Sequence, residues 1–206
     1  MRLLVTAGPT REYLDAVRFI SNPSSGKMGF ACAKAAARAG HDVTLVTGPV
    51  SLPDPKGVQT VRVVSADDMY RAVMKVYPKA DAVIMTAAVG DYRPADRFAG
   101  KLKKTAKTFS LKLVRTRDIL KVLGERKGKR ILVGFALEVQ DAVHEALLKY
   151  EKKNLDGVVL NSPRAFATDL MDCAVYREGR VIKRFKGAKK DAVAAWVVHA
   201  FVGPHG

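Results

Sequence analysis

Short apolar runs rich in valine, isoleucine and leucine alternate with longer amphipathic stretches along this chain. Residues 3–7, 42–47, 58–64, 81–87, 130–136 and 157–161 are four to eight residues long and bounded by turn residues, which predicts buried strands. Residues 109–114 alternate apolar and polar, as a half-buried strand does. Helices are predicted at 26–39, near 66–77, at 118–125, 142–153 and 189–202. The first is alanine-rich and stops at Gly40; the second carries Asp67 and Asp68 in its first turn. Residues 173–176 and 181–185 form a hairpin around Glu178-Gly179.

Strands that alternate with helices imply an α/β fold with a mainly parallel sheet covered by helices on both faces. The late hairpin departs from plain winding. So does the stretch from Ala88 to about Thr108, which lacks apolar periodicity and reads as a long flexible flap. No internal repeat or low-complexity linker divides the chain, so residues 1–206 are expected to form a single domain. Ligands on such sheets bind at the carboxyl ends of the strands, which puts the loops after Ala7, Ala87, Ala136 and Leu160 on one rim.

Composition narrows the classes. No apolar run reaches the ~20 residues that span a bilayer, and the first residues run straight into Gly8-Pro9 without the length of a signal peptide. A cytoplasmic location and no membrane partner are therefore expected. Cys32 and Cys173 lack metal-ligand spacing and read as reduced, buried residues. Lysine and arginine number 36 against 20 acidic residues, a formal net charge of +16. That balance suits nucleic acid or polyanionic small substrates.

Ser21-Asn22-Pro23-Ser24-Ser25-Gly26-Lys27-Met28-Gly29 feeds the first helix. Small residues at a helix N-terminus let backbone N–H groups approach an anion; the plain alternative is a tight turn. The spacing is neither GxGxxG nor the Walker A pattern. Ala87-Ala88-Val89-Gly90-Asp91 ends a strong apolar strand, and Asp91 is either a ligand-facing carboxylate or a cap. Lys101-Leu102-Lys103-Lys104 is either a solvated charge run or a lysine-bearing lid suited to phosphates. Lys149 and Lys153 share a helix face, where lysines usually partner the helix dipole. His41, His144, His199 and His205 have no ligand spacing, and no nucleophile elbow is present. Charge stabilisation and positioning fit the residues better than covalent catalysis.

Thr6-Ala7-Gly8-Pro9-Thr10-Arg11-Glu12, Val17-Arg18-Phe19-Ile20 running into the Ser21–Gly29 motif, Ala87–Pro94, Lys101–Lys104, Gly134-Phe135-Ala136-Leu137-Glu138, Lys153-Asn154-Leu155-Asp156 and Asn161 together resemble phosphopantothenoylcysteine synthetase. This is the synthetase half of a bacterial bifunctional coenzyme A protein whose other half is a flavin-dependent decarboxylase. The resemblance covers nearly the whole chain. It implies a Rossmann-like fold and a ligase that joins 4′-phosphopantothenate to L-cysteine. The substrate carboxylate attacks the α-phosphate of CTP (ATP in some relatives), releasing pyrophosphate. The cysteine amine then attacks the acyl-cytidylate and expels CMP.

By the same resemblance, Asn22 holds the acyl-nucleotide and Lys101 assists turnover. Ala87, Ala88 and Asp91 bind phosphopantothenate, with Arg18 reaching in from the second subunit of a homodimer. Gly8, Ser24, Gly26, Gly29, Phe135 and Asn161 line the nucleotide site. Asp118, Ile119 and Leu120 contact the nucleotide, and Lys149 and Lys153 its phosphates. Mg²⁺ accompanies the triphosphate, with no protein ligand assigned. A decarboxylase association is also implied. Gly90, Arg117, Val139 and Ser162-Pro163 depart from the residues usual in the pattern. An NAD(P)-dependent reductase would need a GxGxxG turn after the first strand, and a nucleic-acid module would need stacking aromatics near Lys101; Tyr92 and Phe98 are the only candidates. No nucleic-acid partner is expected.

Overall fold

The computed structural model describes residues 1–103, 107–137, 141–162 and 169–203. Eight strands form one sheet: β1 (Arg2–Ala7), β4 (Asp42–Thr47), β5 (Val58–Arg62), β6 (Ala82–Met85), β9 (Ile131–Leu137), β10 (Gly157–Asn161), β11 (Leu170–Arg177) and β12 (Arg180–Lys189). Their order is β12-β11-β10-β9-β6-β1-β4-β5. The first six are parallel to one another, and β11 and β12 add an antiparallel edge next to β10. The expectation of a mainly parallel sheet is met. Two further ribbons pair β2 (Arg11–Tyr13) with β3 (Phe19–Ser21) and β7 (Tyr92–Pro94) with β8 (Leu113–Arg115).

The helices are α1 (Lys27–Arg38), α2 (Ala66–Val76), α3 (Ile119–Glu125), α4 (Ala142–Lys152) and α5 (Lys190–Phe201). Strand alternation decides which face each serves. Leu3, Val5 and Ala7 join the core beneath α1 and α5, whereas Leu4 joins Met69, Val73, Ile119 and Leu123 beneath α2 and α3. Each such aliphatic side chain contributes about 1.5–3 kcal/mol by leaving water. A reciprocal capping box starts α2: Ser65 Oγ accepts from the Asp68 N–H at 3.1 Å, and Asp68 Oδ2 accepts from the Ser65 N–H at 3.0 Å.

The chain starts in the middle of the sheet, winds outward through β4 and β5, and returns to β6 on the other side of β1. Loops after β1 and β6 therefore diverge at a switch point, the place where such sheets open a crevice.

Two expectations are corrected, and residues 8–25, for which the sequence predicts no element, contain the β2–β3 ribbon, whose short strands lack a long enough pattern to show in sequence. The strand expected at 109–114 shifts to β8, outside the main sheet, where it pairs with β7. The flap is thus pinched at its base by that ribbon. The late hairpin runs much longer than expected, through β11 and β12. Its turn holds Glu178 and Gly179 at φ 50° and 71°, the positive pair a tight two-residue hairpin requires. β12 is almost wholly exposed and carries Arg180, Lys183, Arg184, Lys186 and Lys189. Such charge on an edge strand discourages pairing with other chains, and accounts for part of the net charge.

Candidate active site

The glycine-rich loop enters α1 through Gly26, whose φ of 75° is left-handed, a conformation that favours glycine. No side chain caps that helix start, so its first-turn N–H groups are not taken by a capping side chain. Gly29 allows close approach of helix to sheet. A Cβ there would lie 2.4 Å from Ala7 Cβ and 2.5 Å from Thr86 Oγ1. Gly8 lies behind Gly26, where its Cα would be 3.4 Å from a Gly26 Cβ.

The loop after β6 is tied down on several sides. Ala88 N donates to Gly8 O at 2.9 Å, and Gly90 N donates to Thr10 Oγ1 at 2.9 Å. Thr116 Oγ1 donates to Gly90 O at 2.6 Å, and Thr86 Oγ1 to Thr6 O at 2.7 Å. Asn22 Nδ2 donates to both Ala88 O and Val89 O at 3.2 Å. Asn22 thereby clamps the glycine-rich loop to the Ala87-Ala88 loop.

Two cavities meet along this clamp. The first, about 340 Å³, is lined by Asn22, Ser24, Gly26 and Gly29 on one side and by Phe135 and Asn161 on the other. The second, about 750 Å³, holds Asp91, Asp118, Ile119, Leu120, Lys149 and Lys153. Ala87, Ala88 and Phe135 line both. Among the described residues, Asn161 Oδ1 is buried at the first cavity without a hydrogen-bond partner, an acceptor suited to a ligand N–H or hydroxyl. Lys153 Nζ lies 2.9 Å from Asp118 Oδ2, while Asp118 Oδ1 accepts from Lys121 N at 3.1 Å as the cap of α3.

Three residues expected at the site line neither cavity: Gly8, Arg18 and Lys101. Gly8 shapes the turn beneath the loop. Arg18 is held by Asp15 and by the Leu102 carbonyl of its own chain, at 3.5 and 2.7 Å. Lys101 is exposed on the flap beside Leu102. Lys104, Glu138, Val139 and Pro163 lie outside the described residues.

Sequence reasoning passed over two cations. Lys27 and Lys190 both line the first cavity. Lys27 Nζ lies 2.6 Å from Asp169 Oδ1, and that contact holds the Asp169 carboxyl below its ordinary range. Burial, then the neighbouring Lys27 ammonium, pushes Lys190 below the usual lysine range, while Asp169 pulls the other way. Lys27 stood inside the recognised motif. Lys190 starts α5, far along the chain, and no local pattern marks it. The two odd residues of the second region are accommodated. Arg117 lies over the Tyr70 ring at 4.7 Å, and a Cβ at Gly90 would meet its neighbours at an ordinary 3.5 Å.

Among the described residues, no group of three or more histidine, cysteine or acidic side chains is placed to hold a metal. No helix among them is long and apolar enough to cross a membrane.

Comparison with known proteins adds a family. The model of the DNA/pantothenate metabolism flavoprotein C-terminal domain matches residues 1–203. The coenzyme A biosynthesis bifunctional protein CoaBC of Bacillus subtilis (strain 168) is 52% identical over 164 residues, 79% of this chain and 40% of that protein. CoaBC of Vibrio cholerae serotype O1 is 43% identical over 206 residues, covering 96% of this chain and 51% of its own. The chain thus spans about half the length of these curated relatives. The crystal structure of a CoaBC C-terminal domain superposes with a TM-score of 0.83 at 42% identity, covering 97% of this chain and 92% of that one. A Cab2 variant in complex with phosphopantothenate-cysteine shares the fold, with a TM-score of 0.81 at 16% identity over 97% and 85% of the two chains.

Proposed function

The chain belongs to the DNA/pantothenate metabolism flavoprotein C-terminal domain family, and from that membership we propose that it is a phosphopantothenate–cysteine ligase of coenzyme A biosynthesis. The observation that carries the reading is the pair of cavities sharing the Ala87-Ala88 and Phe135 wall. A nucleotide laid across that wall occupies both cavities: the uncapped start of α1, Lys27 and Lys190 face it from one, and Asp118–Leu120, with Lys149 and Lys153 as phosphate partners, face it from the other. The phosphopantothenate carboxylate lies against Ala87-Ala88, with Asp91 beside it. A polyanion at this place meets helix N–H groups and two ammonium groups, the donors that phosphoryl charge requires.

The chemistry follows from the weakness of a carboxylate as an electrophile. Attack of its oxygen on the α-phosphorus of CTP breaks the α–β phosphoanhydride bond, releases pyrophosphate and leaves a mixed anhydride. The cysteine nitrogen then attacks the acyl carbon, loses a proton and expels CMP. Asn22 holds the two cavity walls in register through both steps, and Lys101 supplies charge from the flap. Mg²⁺ would be held mainly by the triphosphate and would screen its charge; Asp91 and Asp118 are the carboxylates that the described lining could offer it.

Assembly is part of the proposal. Val17 in the β2–β3 turn, Phe19 and Ile20 on β3, Phe98 on the flap, Phe109 just beyond it and Leu113 on β8 are exposed apolar side chains. The two regions touch through the Phe98 N to Leu14 O bond of 2.8 Å. A homodimer that covers this patch carries Arg18 and the flap toward the neighbouring site, and sedimentation checks it. A flavin-dependent decarboxylase, the activity implied for the other half of such bifunctional proteins, is the expected physical or metabolic partner. A cytoplasmic setting follows from that metabolism.

The test is pyrophosphate release with 4′-phosphopantothenate and each nucleoside triphosphate in turn, with and without L-cysteine. CTP-dependent release, with amide product only when cysteine is present, supports the reading. Release with ATP alone moves the nucleotide assignment. No release with any triphosphate overturns the ligase.

A further inference from the structure

Asp15 is a carboxylate with no solvent exposure, in a turn that lines neither of the two site cavities. A buried charge is tolerated only where donors replace its water, and here the donors come from two distant parts of the chain. Oδ1 accepts from Val17 N and Arg18 N, both at 2.7 Å. Those two bonds close an ordinary local turn. Oδ2 serves a different purpose. It accepts from Leu102 N at 3.1 Å and stands 3.5 Å from Arg18 Nε. Arg18 Nη2 in turn donates to Leu102 O at 2.7 Å.

The result is a closed ring of three residues. Asp15 and Arg18 between them grip both polar groups of the Leu102 backbone. Two further bonds extend the seam: Phe98 N to Leu14 O at 2.8 Å, and Ala16 N to Gly100 O at 3.0 Å. The peptide group that Asp15 holds joins Lys101 to Leu102, so its orientation sets where the Lys101 side chain starts. A local turn explains Oδ1 and leaves Oδ2 unexplained.

We propose that Asp15 is a positioning residue that locks Arg18 and the Lys101 segment of the flap into one unit, so that both reach the reacting groups together. The proposal rests on the ligase reading for its kinetic consequence but not for the latch itself. Strong donors to both oxygens hold the Asp15 carboxyl down at about 2, with the backbone N–H of Arg18 the largest contributor, so the latch stays charged through the working pH range.

Asp15→Asn keeps the shape and removes the charge. Its carboxamide retains one oxygen for the Val17 and Arg18 amides and turns an N–H toward the Leu102 N–H. Hydrogen exchange at the Leu102 amide is expected to quicken by roughly ten- to a hundredfold, the loss of a bond to a charged acceptor. Turnover is expected to fall by about tenfold or more while the nucleotide KM stays within about twofold, since the unit acts in the reacting state. Unchanged exchange at Leu102 in folded Asp15→Asn protein overturns the latch. Faster exchange with wild-type turnover overturns its positioning role. The exchange readout needs no activity, so a failed ligase assay on the wild-type protein is told apart from a failed latch. If Asp15→Asn does not fold, a cycle of Arg18→Gln, Lys101→Gln and the double variant decides. Losses in turnover that multiply to within about twofold mean independent residues and overturn the single unit; a double variant no worse than the poorer single supports it.

Discussion

The wall of the two cavities and the arm formed by the Arg18 turn and the flap are held by different physics. The Ala87–Gly90 loop and the start of α1 sit on buried strands, with Gly29 pressed onto Ala7 and threonines bonding the loop backbone. The Arg18 turn and the flap stand off the sheet, and polar bonds centred on the buried Asp15 join them. Packing makes the first half rigid and sensitive to volume. The second half is joined through charge and hydrogen bonds to Leu102, with ring contacts such as Tyr13–Phe19 and Phe98–Phe109 beside them. Under the proposed ligase function this division has a use: the fixed wall would bind the polyanion, and the polar arm would complete the site.

That contrast can be broken from either side. The largest effect is expected for Lys101→Gln: turnover lower by about a hundredfold, nucleotide KM little changed, and stability within about 0.5 kcal/mol of wild type, because the side chain is exposed. Steady-state kinetics and a urea titration check it; a rise in KM with unchanged kcat would place the lysine in ground-state binding instead.

Gly29→Ala attacks the packed half. With its Cβ 2.4 Å from Ala7 Cβ, α1 must move off the sheet, and the protein should lose about 1–3 kcal/mol in a urea titration. A midpoint equal to wild type would show that the helix is less tightly seated than the contact distances require.

Acid separates the halves without mutation. Asp15 is depressed from 3.8 to about 2, so its contribution is fully present above the unfolded value and is lost as pH falls through the folded one. The Leu102 amide should therefore keep its protection at pH 4 and lose it only toward pH 2. Loss of that protection near pH 4 would mean an ordinary, unlatched carboxylate. Gly90→Ala should do least, within about 0.5 kcal/mol and with activity retained, because the added methyl meets only ordinary contacts at 3.5 Å. A large loss there would show that the rim tolerates less than its spacing implies.

Sequence alone determined the alternating architecture, the succession of the principal strands along the chain and the small-residue entry to α1, because buried strands and helix starts write local, periodic signals. It also marked Asn22, Ala87, Ala88 and Asp118 as site residues through the resemblance, and the structure brings these to one crevice. The β2–β3 ribbon and the pairing of β7 with β8 stayed hidden, since three-residue strands carry little readable period and owe their shape to each other. Lys190 comes into the glycine-loop cavity only because α5 packs beside α1. Asp15 looks in sequence like one acidic residue in a turn. Its meaning comes from Leu102, 87 positions away, and a hydrogen bond between such distant groups exists only once the chain has folded.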